Sequence, residues 1–221
     1  MRHNSGQVAR LLRLMTGLGI GLLTVFPVVL NLTGSDSWAD EGYQDQEEAE
    51  EIEDLADIEP TIPEGWQDLE HRELGFAVNL PPGRLRESVQ PIETSLGTLE
   101  MYMIGLEDNE RVYGVIVADF PDFFEVIPRE IRFDGAISGI LTNVRQRLVR
   151  DRQVALSGHP GRILLYEGED GWVYQHHIYW VGTRLYQTIA AVPARLPQRQ
   201  RAEFFETAKP FFQSFALTDA R

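Results

Sequence analysis

Arg162-Ile-Leu-Leu-Tyr-Glu167, Trp172-Val-Tyr-Gln-His-His-Ile-Tyr-Trp-Val181 and Arg184-Leu-Tyr-Gln-Thr-Ile-Ala-Ala-Val192 are three apolar runs separated by Gly168-Glu-Asp-Gly171 and Gly182-Thr183. Each run is short, rich in β-branched and aromatic residues, and bounded by turn-forming residues, which is how strands read. Links of two and four residues leave no room for a crossover, so the three strands form an antiparallel meander. Gly158-His-Pro-Gly161 supplies the break in front of them.

Working towards the N-terminus, Ile137, Ile140, Leu141, Val144 and Leu148 recur at helical spacing, with Arg145, Arg147 and Arg150 near the end where a helix dipole favours cations. The spacing predicts a helix over 133–149. Before it, Leu99 to Leu106 and Val112 to Phe120 flank Glu107-Asp-Asn-Glu110 and predict a hairpin, and Phe76, Val78 and Leu80 alternate ahead of Pro81-Pro82-Gly83 as a short strand. Towards the C-terminus, Pro197 is placed to open a helix running to about Ala208, bent or ended by Pro210. Phe204, Ala208, Phe211, Phe212 and Phe215 keep a helical rhythm through that break, so this end is expected to dock on the sheet. The predicted fold class is α+β: a central antiparallel sheet of about six strands with helices packed on it, as an α/β/α sandwich or a two-layer variant.

The N-terminal quarter reads differently. Arg2, Arg10 and Arg13 precede 22 uncharged residues, Leu14 to Ser35, a positive region followed by an apolar one. Residues 1–39 are therefore expected to act as a signal peptide cut after Ser37-Trp38-Ala39, or as a retained anchor, since 22 residues reach the length that spans a bilayer. Both readings leave the arginines on the cytoplasmic side and place the rest beyond the membrane, in a periplasm or a lumen. The domain is then soluble after cleavage or held by residues 14–35. Gly17 and Gly21 form a GxxxG pair; small residues of a signal peptide are the plainer reading. From Asp40 to Glu59 there are eleven acidic residues and no basic one. Such a run self-repels and has little to bury, so residues 40–63 are expected to be an acidic disordered linker and residues 64–221 one folded domain.

Composition narrows the function. The net charge is −14, and residues 60–221 carry 22 acidic against 17 basic side chains, so a nucleic-acid partner is not expected. The chain has no cysteine, which excludes disulfides, thiolate metal sites and thiol nucleophiles. There is no H-E-x-x-H, P-loop or calcium-loop pattern, and no cofactor is expected. His176 and His177 are adjacent on a strand and point to opposite faces, so a shared metal is disfavoured; they are weak metal candidates beside a hydrogen-bonded or surface role. Ser157 and His159 lack the G-x-S-x-G setting of a nucleophile, and no catalytic residue is assigned.

Two surfaces remain as candidates for partner binding. Phe120, Phe123 and Phe124 lie beyond a strand end, where exposed rings can anchor a partner and buried ones simply pack. Arg145, Arg147 and Arg150, with Arg152, form the basic cluster of the domain, able to meet an acidic protein or lipid headgroups, or to be neutralised by the chain's own acids.

Gly75-Phe-Ala-Val-Asn-Leu-Pro81, Asp119-Phe120-Pro121, Ser157-Gly-His-Pro-Gly-Arg162, Val181-Gly-Thr-Arg-Leu-Tyr186 and Phe211-Phe-Gln-Ser-Phe215 together resemble the PsbP-like group, over about residues 64–217. The resemblance implies an antiparallel sheet between helices and a non-catalytic docking or assembly role at a membrane protein complex, possible settings being photosynthetic. Lumenal members of that group often carry a lipidated cysteine at the cleavage site; this chain has none. An envelope enzyme with an unrecognised active site and a small-ligand binding domain are the alternatives.

Overall fold

The computed structural model describes residues 52–94, 97–107, 110–141 and 146–218. The segments read as a signal or anchor and as most of the acidic run therefore lie outside the described residues. Among the described residues no helix is long and apolar enough to cross a membrane.

Seven antiparallel strands make the central sheet: β3 (Arg86–Thr94), β4 (Gly97–Glu107), β5 (Val112–Asp119), β6 (Gln146–Leu156), β7 (His159–Glu167), β8 (Trp172–Val181) and β9 (Arg184–Pro193). Their spatial order is β3-β4-β5-β9-β8-β7-β6. The predicted meander is β7-β8-β9, and the predicted hairpin is β4-β5 with Glu107 opposite Val112. Helix α1 (Arg129–Leu141) carries the chain from β5 in the middle of the sheet to β6 at its edge. It covers one face, burying Phe133, Ala136 and Ile140 against Met103, Ile116, Leu164, Tyr166, Ile178 and Trp180.

The opposite face is covered by a smaller three-stranded sheet and by helices. Strands β1 (Gln67–His71), β2 (Phe76–Leu80) and β10 (Ala216–Leu217) pair in the order β1-β2-β10. Helices α2 (Gln198–Thr207) and α3 (Lys209–Gln213) lie beside them, with Pro210 in the first turn of α3. Phe76, Val78 and Leu80 point from β2 into a core shared with Phe204, Ala208, Phe211, Phe212 and Phe215, as the C-terminal rhythm predicts. The α+β class stands, with ten strands in two sheets where about six in one were expected.

Three expectations are corrected. The helix predicted to reach residue 149 ends at Leu141, and residues 146–156 form edge strand β6. Leu148 fits the helical period but is exposed on that strand. Residues 52–63 are not a free linker: Leu55, in a short 3₁₀ turn η1 (Leu55–Asp57), is buried in the core beside β2. The amide of Ala155 donates to the Glu53 carbonyl at 2.9 Å, and Asp54 bridges Ala155 in parallel sense. Finally, β3 was missed; it holds Pro91, which only an edge strand accommodates because proline offers no N–H to a second neighbour.

The β6-β7 hairpin turns on two residues of positive φ, Ser157 at 52° and Gly158 at 76°. The Asp54 carboxylate accepts from both of their amides, at 2.8 and 2.6 Å. Gly161 has a different task. A Cβ there would sit 2.5 Å from Tyr179 Cδ1 and 2.9 Å from the Ile178 carbonyl, so the glycine lets the Tyr179 ring lie across β7. Gly161→Ala is expected to cost about 2–3 kcal/mol by forcing that ring off Phe215, an effect urea unfolding will show as a lowered midpoint.

Candidate functional site

After β5 the chain turns at Phe120-Pro121 into a 3₁₀ helix, η2 (Asp122–Val126), and then into α1. Phe120 and Phe124 turn inward: their ring centroids are 4.6 Å apart and lie 5.0 and 5.8 Å from that of Trp180. Both are at most 5% exposed, so neither can anchor a partner. Phe123 faces outward and is 51% exposed. With it stand Val126, 84% exposed, and Ile131 in the first turns of α1, 45% exposed. Three large apolar side chains are therefore bare within nine residues of one rigid corner.

The corner is held from beneath. Arg132 donates from Nη1 to the Gly182 carbonyl at 2.8 Å and places its guanidinium 5.3 Å from the Trp180 ring centroid. At the end of β5 the Asp119 carboxylate accepts from Arg184 Nε and Nη2 at 2.5 and 2.8 Å, a bidentate pair across the β5-β9 register. That carboxylate is also the main cause that raises the Arg184 pKa above its ordinary value.

The arginine cluster is not a helix face. Arg147, Arg150 and Arg152 are carried by β6, and Arg145 falls outside the described residues. Arg150 is exposed, and Arg152 pairs with Glu53 at 2.5 Å. The phenylalanines and the arginines thus belong to different elements, one at the start of α1 and the other on the sheet edge.

Between the N-terminal half of α1 and the β6-β7 hairpin lies an open cleft of about 440 Å³. Arg129, Glu130 and Asp134 line one wall, Gln153 and Arg162 the other. Two of its charged groups are engaged: Arg162 makes a bidentate pair with Asp151, and the Asp54 carboxylate at the rim is occupied by backbone amides. The Ala56 amide, then those of Gly158 and Ser157, hold the Asp54 pKa below the usual carboxylate value.

His176 and His177 do face opposite sides of the sheet, and both are buried. His176 Nδ1 lies 3.3 Å from the Tyr166 hydroxyl and Nε2 2.9 Å from Gln187 Oε1, beneath α1. His177 Nδ1 lies 3.1 Å from the Tyr179 hydroxyl, and its ring stacks on Phe212 with centroids 4.1 Å apart. Burial lowers the pKa of both, to about 3 for His176. Among the described residues no group of three or more His, Asp or Glu side chains is placed to hold a metal ion. The histidines are the polar centres of two hydrogen-bonded cores.

Val126 and Ile131 were missed in the sequence. Val126-Ile127-Pro128 precedes the helix and Ile131 sits among charged residues, so their exposure becomes legible only once the phase of α1 is fixed by Phe133, Ala136 and Ile140.

No family model matches the chain, and no curated protein does. Among solved structures, the solution structure of cyanobacterial PsbP (CyanoP) from Synechocystis sp. PCC 6803 is similar, with a TM-score of 0.46 and 12% identity, covering 69% of this chain and 92% of that one. A protein of unknown function from Pseudomonas aeruginosa matches at a TM-score of 0.35 and 11% identity, covering 65% of this chain and 94% of its own. At these identities and TM-scores neither likeness bears on function.

Proposed function

We propose that this chain is an exported, non-catalytic docking factor that binds a membrane protein complex through the corner formed by η2 and the start of α1. The observation that carries the reading is the exposure of Phe123, Val126 and Ile131 within nine residues of one braced turn. These apolar side chains, interspersed in sequence with Asp122, Glu125, Arg129 and Glu130, have the make-up of an interface core with a polar rim. Burying each apolar side chain on a partner yields about 1.5–3 kcal/mol. The arginine-flanked, uncharged stretch Leu14–Ser35 supports a site of action beyond a membrane, in a periplasm or lumen, and the PsbP-like resemblance of the domain belongs to the same proposal. A small-ligand site is the second reading, favoured by the cleft beside α1, whose volume suits a small molecule.

Affinity purification of tagged chain from membranes tests the reading. The double variant Phe123→Ser/Val126→Ser is expected to lose its membrane-protein partner by at least about 150-fold in affinity, the worth of two such anchors at the lower figure. Its unfolding midpoint should stay close to that of the wild type, since both residues are exposed. Equal recovery of the partner by wild type and variant would remove this corner from the interface.

A further inference from the structure

The 3₁₀ helix η2 sorts the corner into three rows. Such a helix has three residues per turn, so side chains three apart in sequence eclipse one another. Phe124 and, at the cap, Ile127 form the row that packs into the core beneath α1. Phe123 and Val126 form a second row, 51% and 84% exposed. Asp122 and Glu125 form the third, and both are exposed. Asp122-Phe-Phe-Glu-Val126, wound as a 3₁₀ helix, therefore sets two carboxylates one turn apart beside two bare apolar side chains one turn apart. At a rise of about 2.0 Å per residue the members of each row stand about 6 Å apart along the axis. The carboxylates are also not neutralised. The next cations along the chain are taken: Arg129 lies 3.4 Å from Glu130, and Arg132 donates to the Gly182 carbonyl and lies over the Trp180 ring. Asp119, just before the corner, holds Arg184, whereas Asp122 and Glu125 pair with no cation among the described residues.

We propose that the partner of this corner is a protein surface with an apolar hollow flanked by two lysine or arginine side chains about 6 Å apart. This rests on the docking reading above and adds the partner's chemistry: Phe123 and Val126 fill the hollow while Asp122 and Glu125 meet the cations. Apolar contact at the centre gives such an interface its affinity, and complementary charge at the rim gives it encounter rate and register. A lipid surface does not supply the pattern, because its phosphate groups meet two free carboxylates with like charge.

The test places a photoreactive phenylalanine analogue at Phe123 of the full chain and irradiates isolated membranes, the adduct and its linked peptide being identified by mass spectrometry. The partner's peptide at the link should be basic. Asp122→Lys/Glu125→Lys should cut the adduct yield about tenfold, and the neutral Asp122→Asn/Glu125→Gln about threefold. Salt separates charge pairing from a role in folding: raising it from about 0.05 to about 0.5 M should lower the unsubstituted yield about fivefold and leave that of the neutral variant nearly unchanged. An acidic peptide at the link, or a yield that charge reversal does not move, overturns the proposal. If charge reversal leaves the yield unmoved while Val126→Ser lowers it about tenfold, the docking corner stands and only the flanking cations fall. A yield that neither change lowers, or an adduct with phospholipid alone, removes the protein-docking corner as well.

Discussion

Lowering the pH from 8 to 5 will destabilise the domain by about 2 kcal/mol through His176 of β8, with a further loss in the same direction from His177. Folding takes His176 from an ordinary value of 6.5 to about 3, because burial strips the charged ring of its hydration and the Gln187 carbonyl offsets only part of that. His177 is lowered in the same way by burial, with further contributions from His176 and Arg152. The unfolded chain takes up a proton at each ring below pH 6.5, whereas the native chain does not until near pH 3 at His176. Stability is therefore full above the unfolded value and falls as pH drops below it, by about 2 kcal/mol at His176 between pH 8 and 5, with His177 adding to the loss. Urea unfolding at the two pH values measures this directly. His177→Gln should lose stability at pH 8, through the stack on Phe212, yet show a smaller drop than the wild type on acidification. A wild type equally stable at pH 8 and 5 would mean that the rings are not held neutral.

Phe215→Ala will cost about 3–5 kcal/mol, the range for emptying a large buried aromatic site. Phe215 is buried where the two sheets meet. Its ring centroid lies 5.8 Å from that of Phe76 on β2, 6.0 Å from Tyr179 on β8 and 5.9 Å from Tyr186 on β9. Removing it leaves a void that three strands in two different sheets must close, and they are fixed by their own ladders. Tyr186 is further pinned by donating its hydroxyl to the Leu74 carbonyl at 2.8 Å. The hydrogen bond from the Thr218 amide to Gly75, at 2.9 Å, should exchange early in the variant, because β10 follows Phe215 directly. Phe123→Ala, at an exposed position, is the control and should stay within about 0.5 kcal/mol of the wild type.

These two positions also show how far the sequence could be read. The β8 run was legible because it is buried on both faces, so Val173 to Val181 reads as near-continuous apolar sequence, and the opposite facing of His176 and His177 follows from strand geometry alone. The Phe211 to Phe215 docking was legible from helical spacing. Strand β6 was not: an edge strand carries Arg, Asp and Gln to protect its open side, which erases the alternation that marks a strand, and Leu148 happens to continue the period of α1. Pro91 hid β3 for the related reason that an edge tolerates what a central strand rejects. At the candidate site, Phe123 was within the sequence reading, but its separation from Phe120 and Phe124 was not, because three aromatic residues in five positions carry no period until η2 sets which of them turns towards Trp180.

The most direct test of the account replaces Val126 with a photoreactive amino acid in the full chain and irradiates intact cells. The account predicts an adduct, found in the membrane fraction, with a membrane protein that exposes the linked residue on the side away from the cytoplasm, and no such adduct from the same group at Val89. Adducts with cytosolic proteins alone, or none above those seen at Val89, would contradict it.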